Sequence, residues 1–364
     1  MSAEVSPQPP FPLHDSVKDK LSPEYVAFYD QYIINNQQVH YQPVEASRTS
    51  GTLIPGGGSL LTVGHTEDIP IQRRASSGPD VKVRCFTPSG GRPQEGWPVL
   101  LYFHGGGWVL GTIDTENTVC TNICVRANCV VVTVDYRFVY PIIFIDYHFP
   151  GISTGANPSL HSLAPENPWP AAVHDSWEAF QWLISDGVSS LDINLSKMAV
   201  GGSSAGGNLA AIISQKALAL SPPVHFKSQV LSVPVTDNTA TVASNMTYAS
   251  YQHTAALPAE KMLWYRKHYL PDQRDWPHPE ASPLFYQGDW SQLPPALILV
   301  AELDVLRKEG EEYAETLRAA GVPVDLHVMP GMPHPFLAMD GVLKEGKRAI
   351  TLMCDTLRRD FWNK

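Results

Sequence analysis

The sequence predicts an α/β fold: a largely parallel sheet with helices on both faces and a smaller helical cap. Three observations predict it. Six short runs, VKVRCF (81–86), PVLLYF (98–103), CVVVTVDY (129–136), KMAVGG (197–202), ALILVAE (296–302) and VDLHVM (324–329), are largely apolar and β-rich. Helical patterns lie between them, and one strand-to-helix junction carries a G-x-S-x-G sequence. Apolar runs of this length read as strands covered on both sides, which is the environment of a parallel sheet.

The chain begins with a segment rich in Pro and polar residues around one predicted helix, Pro23 to Gln37, and Gly56, Gly57 and Gly58 then break any regular pattern. Helices are predicted over Ala171–Ile184, Asn208–Ala219, Lys308–Ala320 and Lys344–Asp360, the third closed by Gly321. The span from Pro222 to about Trp290 interrupts the alternation with Pro, Tyr, Trp and His around a helix near Pro258–His268. The predicted organisation is a cap built from 1–60 and 218–282 on a core built from 75–217 and 283–364.

Composition excludes several classes. With 364 residues, 43% hydrophobic and 17% charged, the chain buries a sizeable core and is not disordered. Asp and Glu outnumber Lys and Arg by 36 to 26, a formal net charge of -10, which argues against nucleic acid or an anionic membrane as partner. The apolar run FVYPIIFIDYHFPG (138–151) is too short for a membrane span and is interrupted by Pro141, Asp146 and His148. The start, MSAEVSPQPPFPLHDS, does not read as a secretory signal, so a cytoplasmic location is expected. Cys85, Cys120, Cys124, Cys129 and Cys354 are too sparse for a disulfide framework, and no Cys/His pair completes a metal set around Cys120, Cys124 and Cys129. They read as buried thiols rather than metal ligands.

The chemistry concentrates at Gly202-Ser203-Ser204-Ala205-Gly206, between a strand and a helical pattern. Small flanking residues let the chain turn sharply and hold a serine hydroxyl out at the strand end. A pattern centred on Ser203 would need glycine at 205 and finds Ala205, so Ser204 is the candidate nucleophile. A hydroxyl needs a general base and a pre-set site for the oxyanion. His104-Gly105-Gly106-Gly107 after the 98–103 strand offers backbone N–H groups for that site, with Ala205 N–H as a further donor. Asp304, just past the 296–302 strand, and His334, in the loop after the last strand, follow in the order serine, acid, base. Glu302 is the competing acid, but it sits within the strand run; His104 reads as an organiser of its loop.

The HGGG loop, the G-x-S-A-G-G elbow, Asp304 in DVLRKEG and His334 in GMPHPF together resemble the hormone-sensitive-lipase-like branch of the α/β-hydrolases over roughly residues 75–350. Asp135-Tyr136-Arg137 and the stretch Leu163 to Ala172 resemble that family's DYRLAPE-x-PFPAA segment. The resemblance implies an α/β-hydrolase fold with a helical cap and a serine carboxylesterase acting on small to medium acyl esters without metal or cofactor. It also implies oxyanion donors at Gly105, Gly106 and Ala205, and a homodimer through an edge strand. Trp108 and aromatic residues of the cap, Trp264, Tyr265, Tyr269 and Trp276, are candidates to line the substrate pocket, Trp108 foremost, against the commoner role of aromatics at such spacing as plain packing. There are two departures. Ser203 stands where family members commonly carry Asp or Thr, and Phe138 to Ser162 separate pieces that are normally contiguous. That insertion reads either as a lid or oligomer contact, or as sequence that a gene model should have spliced out. An amidase or formamidase on the same triad is the runner-up. A non-catalytic receptor on this scaffold is disfavoured by the presence of His334, and an inactive scaffold protein by the retention of every group in order.

Overall fold

A computed structural model describes residues 6–50, 55–136 and 167–363. The insertion from Phe138 to Ser162, Arg137 and the LAPE piece lie outside the described residues. Eight strands form one sheet: β1 (His65–Ile71), β2 (Val81–Thr87), β3 (Trp97–Phe103), β4 (Val130–Asp135), β5 (Ile193–Ser203), β6 (Gln229–Ser232), β7 (Ala296–Ala301) and β8 (Val324–Met329). Their order is β1-β2-β4-β3-β5-β6-β7-β8. The pairs β1–β2 and β2–β4 are antiparallel, and every pair from β4 to β8 is parallel. All six predicted runs are strands.

Alternate residues of each central strand serve opposite layers, as the pleat requires. Val99, Leu101 and Phe103 of β3 pack with Phe180, Leu209 and Ile213 from the helices Ala171–Leu183 and Ala205–Ala217. Leu100 and Tyr102 face the other way, into the layer of Ile123, Met353 and Leu357 from Asn117–Ile123 and Lys344–Trp362. Both faces are dry, so β3 is buried along its whole length and alternation vanishes from its sequence.

Two strands depart from the expectation. The sheet starts at His65, so the core does not begin at 75. The sequence of β1, HTEDIPI, has no apolar run because it is an exposed edge strand, buried only at Ile71. Strand β6 falls inside the 218–282 range assigned to the cap, yet it lies between β5 and β7. Its signal is masked by brevity and by Gln229, a fully buried amide that donates to Pro294 O at 3.0 Å and accepts from the Tyr313 hydroxyl at 3.2 Å. The chain that overlies the sheet therefore resumes only after Ser232.

The helix Pro23–Tyr32 starts where predicted, with the Ser22 hydroxyl accepting from Tyr25 N–H at 3.3 Å and Pro23 in its first turn. With the turn Val39–Tyr41 and the helix Ala259–Tyr269 it forms the layer over the carboxyl ends of the parallel strands. The buried guanidinium of Arg266 fastens that layer, donating to Ala240 O at 2.7 Å and to the Tyr248 hydroxyl at 3.1 Å. Among the described residues, no helix is long and apolar enough to cross a membrane. All five cysteines are buried free thiols, and burial pushes Cys85, Cys124 and Cys354 up to about 12.

Candidate active site

Because β5, β7 and β8 run parallel, the segments that follow them emerge at one edge of the sheet. That places Ser204, Asp304 and His334 together, although 130 residues separate the serine from the histidine. The Ser204 hydroxyl lies 2.8 Å from His334 Nε2, and His334 Nδ1 lies 2.6 Å from Asp304 Oδ2. Asp304 Oδ1 accepts from Leu306 N–H at 3.1 Å, and the aspartate is fully buried. In the tautomer these contacts require, Nδ1–H donates to the carboxylate and Nε2 accepts from the hydroxyl.

The serine is held in a strained conformation. Its φ is 54° and its ψ is -118°, outside the regions L-residues ordinarily occupy. The strain turns Ser204 out of the sheet between β5 and the helix Ala205–Ala217, where its N–H donates to Ser232 O at 2.8 Å and its carbonyl accepts from Asn208 N–H at 3.0 Å. The flanking glycines are a steric necessity. A Cβ on Gly202 would stand 2.3 Å from Gly206 O, and one on Gly206 would stand 2.0 Å from Phe103 O. The turn can close only with glycine at both places.

The glycine loop after β3 is organised by its own histidine. His104 stacks on Tyr136 at 4.3 Å, and its Nδ1 lies 2.7 Å from Gly105 O. Tyr136 in turn donates to His104 O at 2.7 Å. Burial lowers the His104 pKa, so the ring is neutral and donates through Nδ1. Pinning the Gly105 carbonyl on the ring fixes the next peptide plane, so that Gly106 N–H points the opposite way. The N–H groups of Gly105, Gly106 and Ala205 carry no hydrogen bond to another described residue.

A cavity of about 620 Å³ opens over this edge and is lined by Gly105, Gly106, Trp108, Ser204, Tyr265 and His334 among others. Trp108 reaches the cavity, but its indole is buried and stacked on Tyr269 at 4.2 Å and 6°, so it supports the wall. Of the four aromatic residues considered in the cap, Tyr265 is the one at the cavity; Tyr269 backs Trp108, Trp276 lies under Arg266, and Trp264 packs on Tyr265 and His268. Glu302, the competing acid, accepts from Gly331 N–H at 2.7 Å and anchors the loop that carries His334.

Sequence reasoning missed Glu116. Its carboxylate is buried beneath the glycine loop, accepting from the Ser203 hydroxyl at 2.5 Å and from the Tyr102 hydroxyl at 2.8 Å. Ser203, the position that departs from the family pattern, is thus the hydroxyl partner of an existing carboxylate. The expected result for Ser203→Ala is a loss of about 1–3 kcal/mol in stability, because a buried carboxylate loses a donor without gaining water. Urea unfolding measures it, and an unchanged midpoint would sink the assignment.

A family model described as alpha/beta hydrolase fold matches residues 100–139 and 161–338, leaving out 140–160 in the heart of the insertion. An AB hydrolase superfamily protein of Schizosaccharomyces pombe is 45% identical over 344 residues, which are 92% of this chain and 93% of that protein. The ethyl acetate hydrolase of Pseudomonas putida is 30% identical over 339 residues, 88% of this chain and 96% of that enzyme. Among solved structures, the esterase of Pyrobaculum calidifontis superposes with a TM-score of 0.74 at 30% identity, covering 93% of this chain and 98% of its own.

Proposed function

This chain belongs to the α/β-hydrolase family, as a carboxylic-ester hydrolase of the hormone-sensitive-lipase-like branch, and from that premise we propose that it cleaves small to medium acyl esters by two-step acyl transfer. The observation that carries the reading is the unbroken hydrogen-bonded chain Asp304–His334–Ser204, whose serine and histidine line the cavity.

In the first step the Ser204 hydroxyl attacks the ester carbonyl while His334 Nε2 takes its proton. Asp304 holds Nδ1–H and stabilises the imidazolium that forms. The negative charge that develops on the carbonyl oxygen is received by the N–H groups of Gly105, Gly106 and Ala205, which have no other acceptor among the described residues. His334 then returns the proton to the leaving alcohol. Water, deprotonated by the same imidazole, releases the acid from Ser204 in the second step. The N-terminal segment and the stretch after β6 form the cap, whose Tyr25, Tyr29, Met262 and Tyr265 bound the space left for the substrate.

The size of the cavity supports the short to medium range, since it lies within the span of pockets that take small molecules. Turnover of p-nitrophenyl acetate, butyrate, octanoate and palmitate tests it: the two shorter esters should be hydrolysed fastest and palmitate slowest. Matched p-nitroanilides separate ester from amide chemistry, and anilide turnover equal to that of the esters would replace this reading by an amidase.

A further inference from the structure

Acyl transfer makes no use of an ammonium group on the cavity wall. Lys261, on the cap helix Ala259–Tyr269, lines the same cavity as Ser204 and His334. Its ammonium donates to Ala256 O at 2.8 Å, and among the described residues it has no carboxylate partner. Glu260, its neighbour on the helix, is turned outward: it accepts from the Tyr41 hydroxyl at 2.9 Å and is 67% exposed.

The other ionisable groups around the cavity are committed elsewhere. Glu116 is taken by Ser203 and Tyr102, and His334 by Asp304 and Ser204. His40, from the turn beside the helix, is buried and pushed down to about 4 by that burial and by the Lys261 charge, so it is neutral at working pH. The phenols of Tyr25, Tyr29 and Tyr265 are driven up by burial and are neutral as well.

A carbonyl cap for Ala256 needs one N–H, and an ammonium brings three together with a full charge. Holding that charge in a partly buried wall costs free energy unless an anion meets it. The cost is visible in the amine itself, which burial pulls down to about 8. The N-terminal segment adds the amides of Gln38 and Gln42 to the same cavity. In a protein of formal net charge -10, attraction of an anion has to be built locally.

We propose that Lys261 pairs with a carboxylate carried by the substrate away from its scissile ester, so that the preferred substrates are monoesters of short dicarboxylic acids. This rests on the ester-hydrolase reading and adds the substrate class to it.

The test is the ratio of kcat/KM for monoethyl adipate to that for its neutral analogue ethyl heptanoate, followed by proton release in wild type and in Lys261→Met. Taking a ratio on each preparation cancels any loss of folded protein. The expected result is a fall in the ratio of about tenfold or more in Lys261→Met, carried mainly by KM for the anionic ester. In the wild type the ratio should also decline as the pH is raised through about 8, where the amine loses its charge while the substrate carboxylate keeps its own; in Lys261→Met it should stay level over that range. A ratio that agrees within twofold between the two proteins overturns the proposal, as does a wild type that turns over ethyl heptanoate and leaves the monoester untouched. If the wild type hydrolyses neither ester nor p-nitrophenyl butyrate, the ester-hydrolase reading fails and takes this proposal with it.

Discussion

Ser204→Ala is expected to lower kcat/KM for p-nitrophenyl butyrate by about 10⁴-fold or more while leaving the thermal midpoint close to that of the wild type. The two halves of that expectation come from different parts of the structure. The turn is fixed by the backbone bonds of residue 204 to Ser232 and Asn208 and by the absence of side chains at Gly202 and Gly206, none of which needs the hydroxyl. Among the described residues the hydroxyl makes one hydrogen bond, the 2.8 Å bond to His334 Nε2, so its removal takes away the proposed nucleophile and little else. What activity remains would come from water attacking a carbonyl still held by the glycine loop. Ser203→Ala is the natural comparison, because its hydroxyl points down to Glu116 rather than to the histidine. Should Ser203→Ala lose the activity and Ser204→Ala keep it within tenfold, the nucleophile has been misassigned between two adjacent serines.

The parts of this molecule that were legible in the sequence are those where physics leaves few choices. Strands covered on both faces leave uninterrupted apolar runs, so β3 and β7 are plain in the sequence, and the turn at Ser204 admits only glycine at 202 and 206. The strands that escaped are the ones relieved of that pressure. β1 faces solvent and carries HTEDIPI, and β6 has four residues, one of them a glutamine whose amide is satisfied inside the core. Glu116 and Lys261 were invisible for another reason. Each is an ordinary charged residue in its local sequence, and its meaning lies in what the fold brings to it: Ser203 and Tyr102 for the carboxylate, and a cavity wall that gives the ammonium no carboxylate partner among the described residues. Glu302 and Asp304 stand two positions apart and were separable by context alone; their bonds to Gly331 and to His334 now distinguish an anchor for the loop from the partner of the imidazole.

That distinction sets up the second large effect. Asp304→Asn should reduce kcat/KM by roughly 10⁴-fold although it changes the side-chain volume very little. The aspartate accepts twice, from Leu306 N–H through Oδ1 and from His334 Nδ1–H through Oδ2. An asparagine has one oxygen to offer. If the oxygen stays with Leu306, the amide NH₂ faces His334, so Nδ1 must become the acceptor and the ring proton moves to Nε2. Nε2–H then opposes the Ser204 hydroxyl, and the group meant to take a proton presents one. If the amide flips, its NH₂ confronts the Leu306 N–H in a fully buried place, and two donors are left unsatisfied. The first arrangement is the cheaper, so the variant folds with its histidine in the wrong tautomer and loses kcat rather than KM. Glu302→Gln provides the contrast, since a glutamine oxygen can still accept from Gly331 N–H, and its kcat should remain within tenfold of the wild type. Equal losses in the two variants would mean that the imidazole draws on both acids, and the assignment of Asp304 as its partner would have to be abandoned.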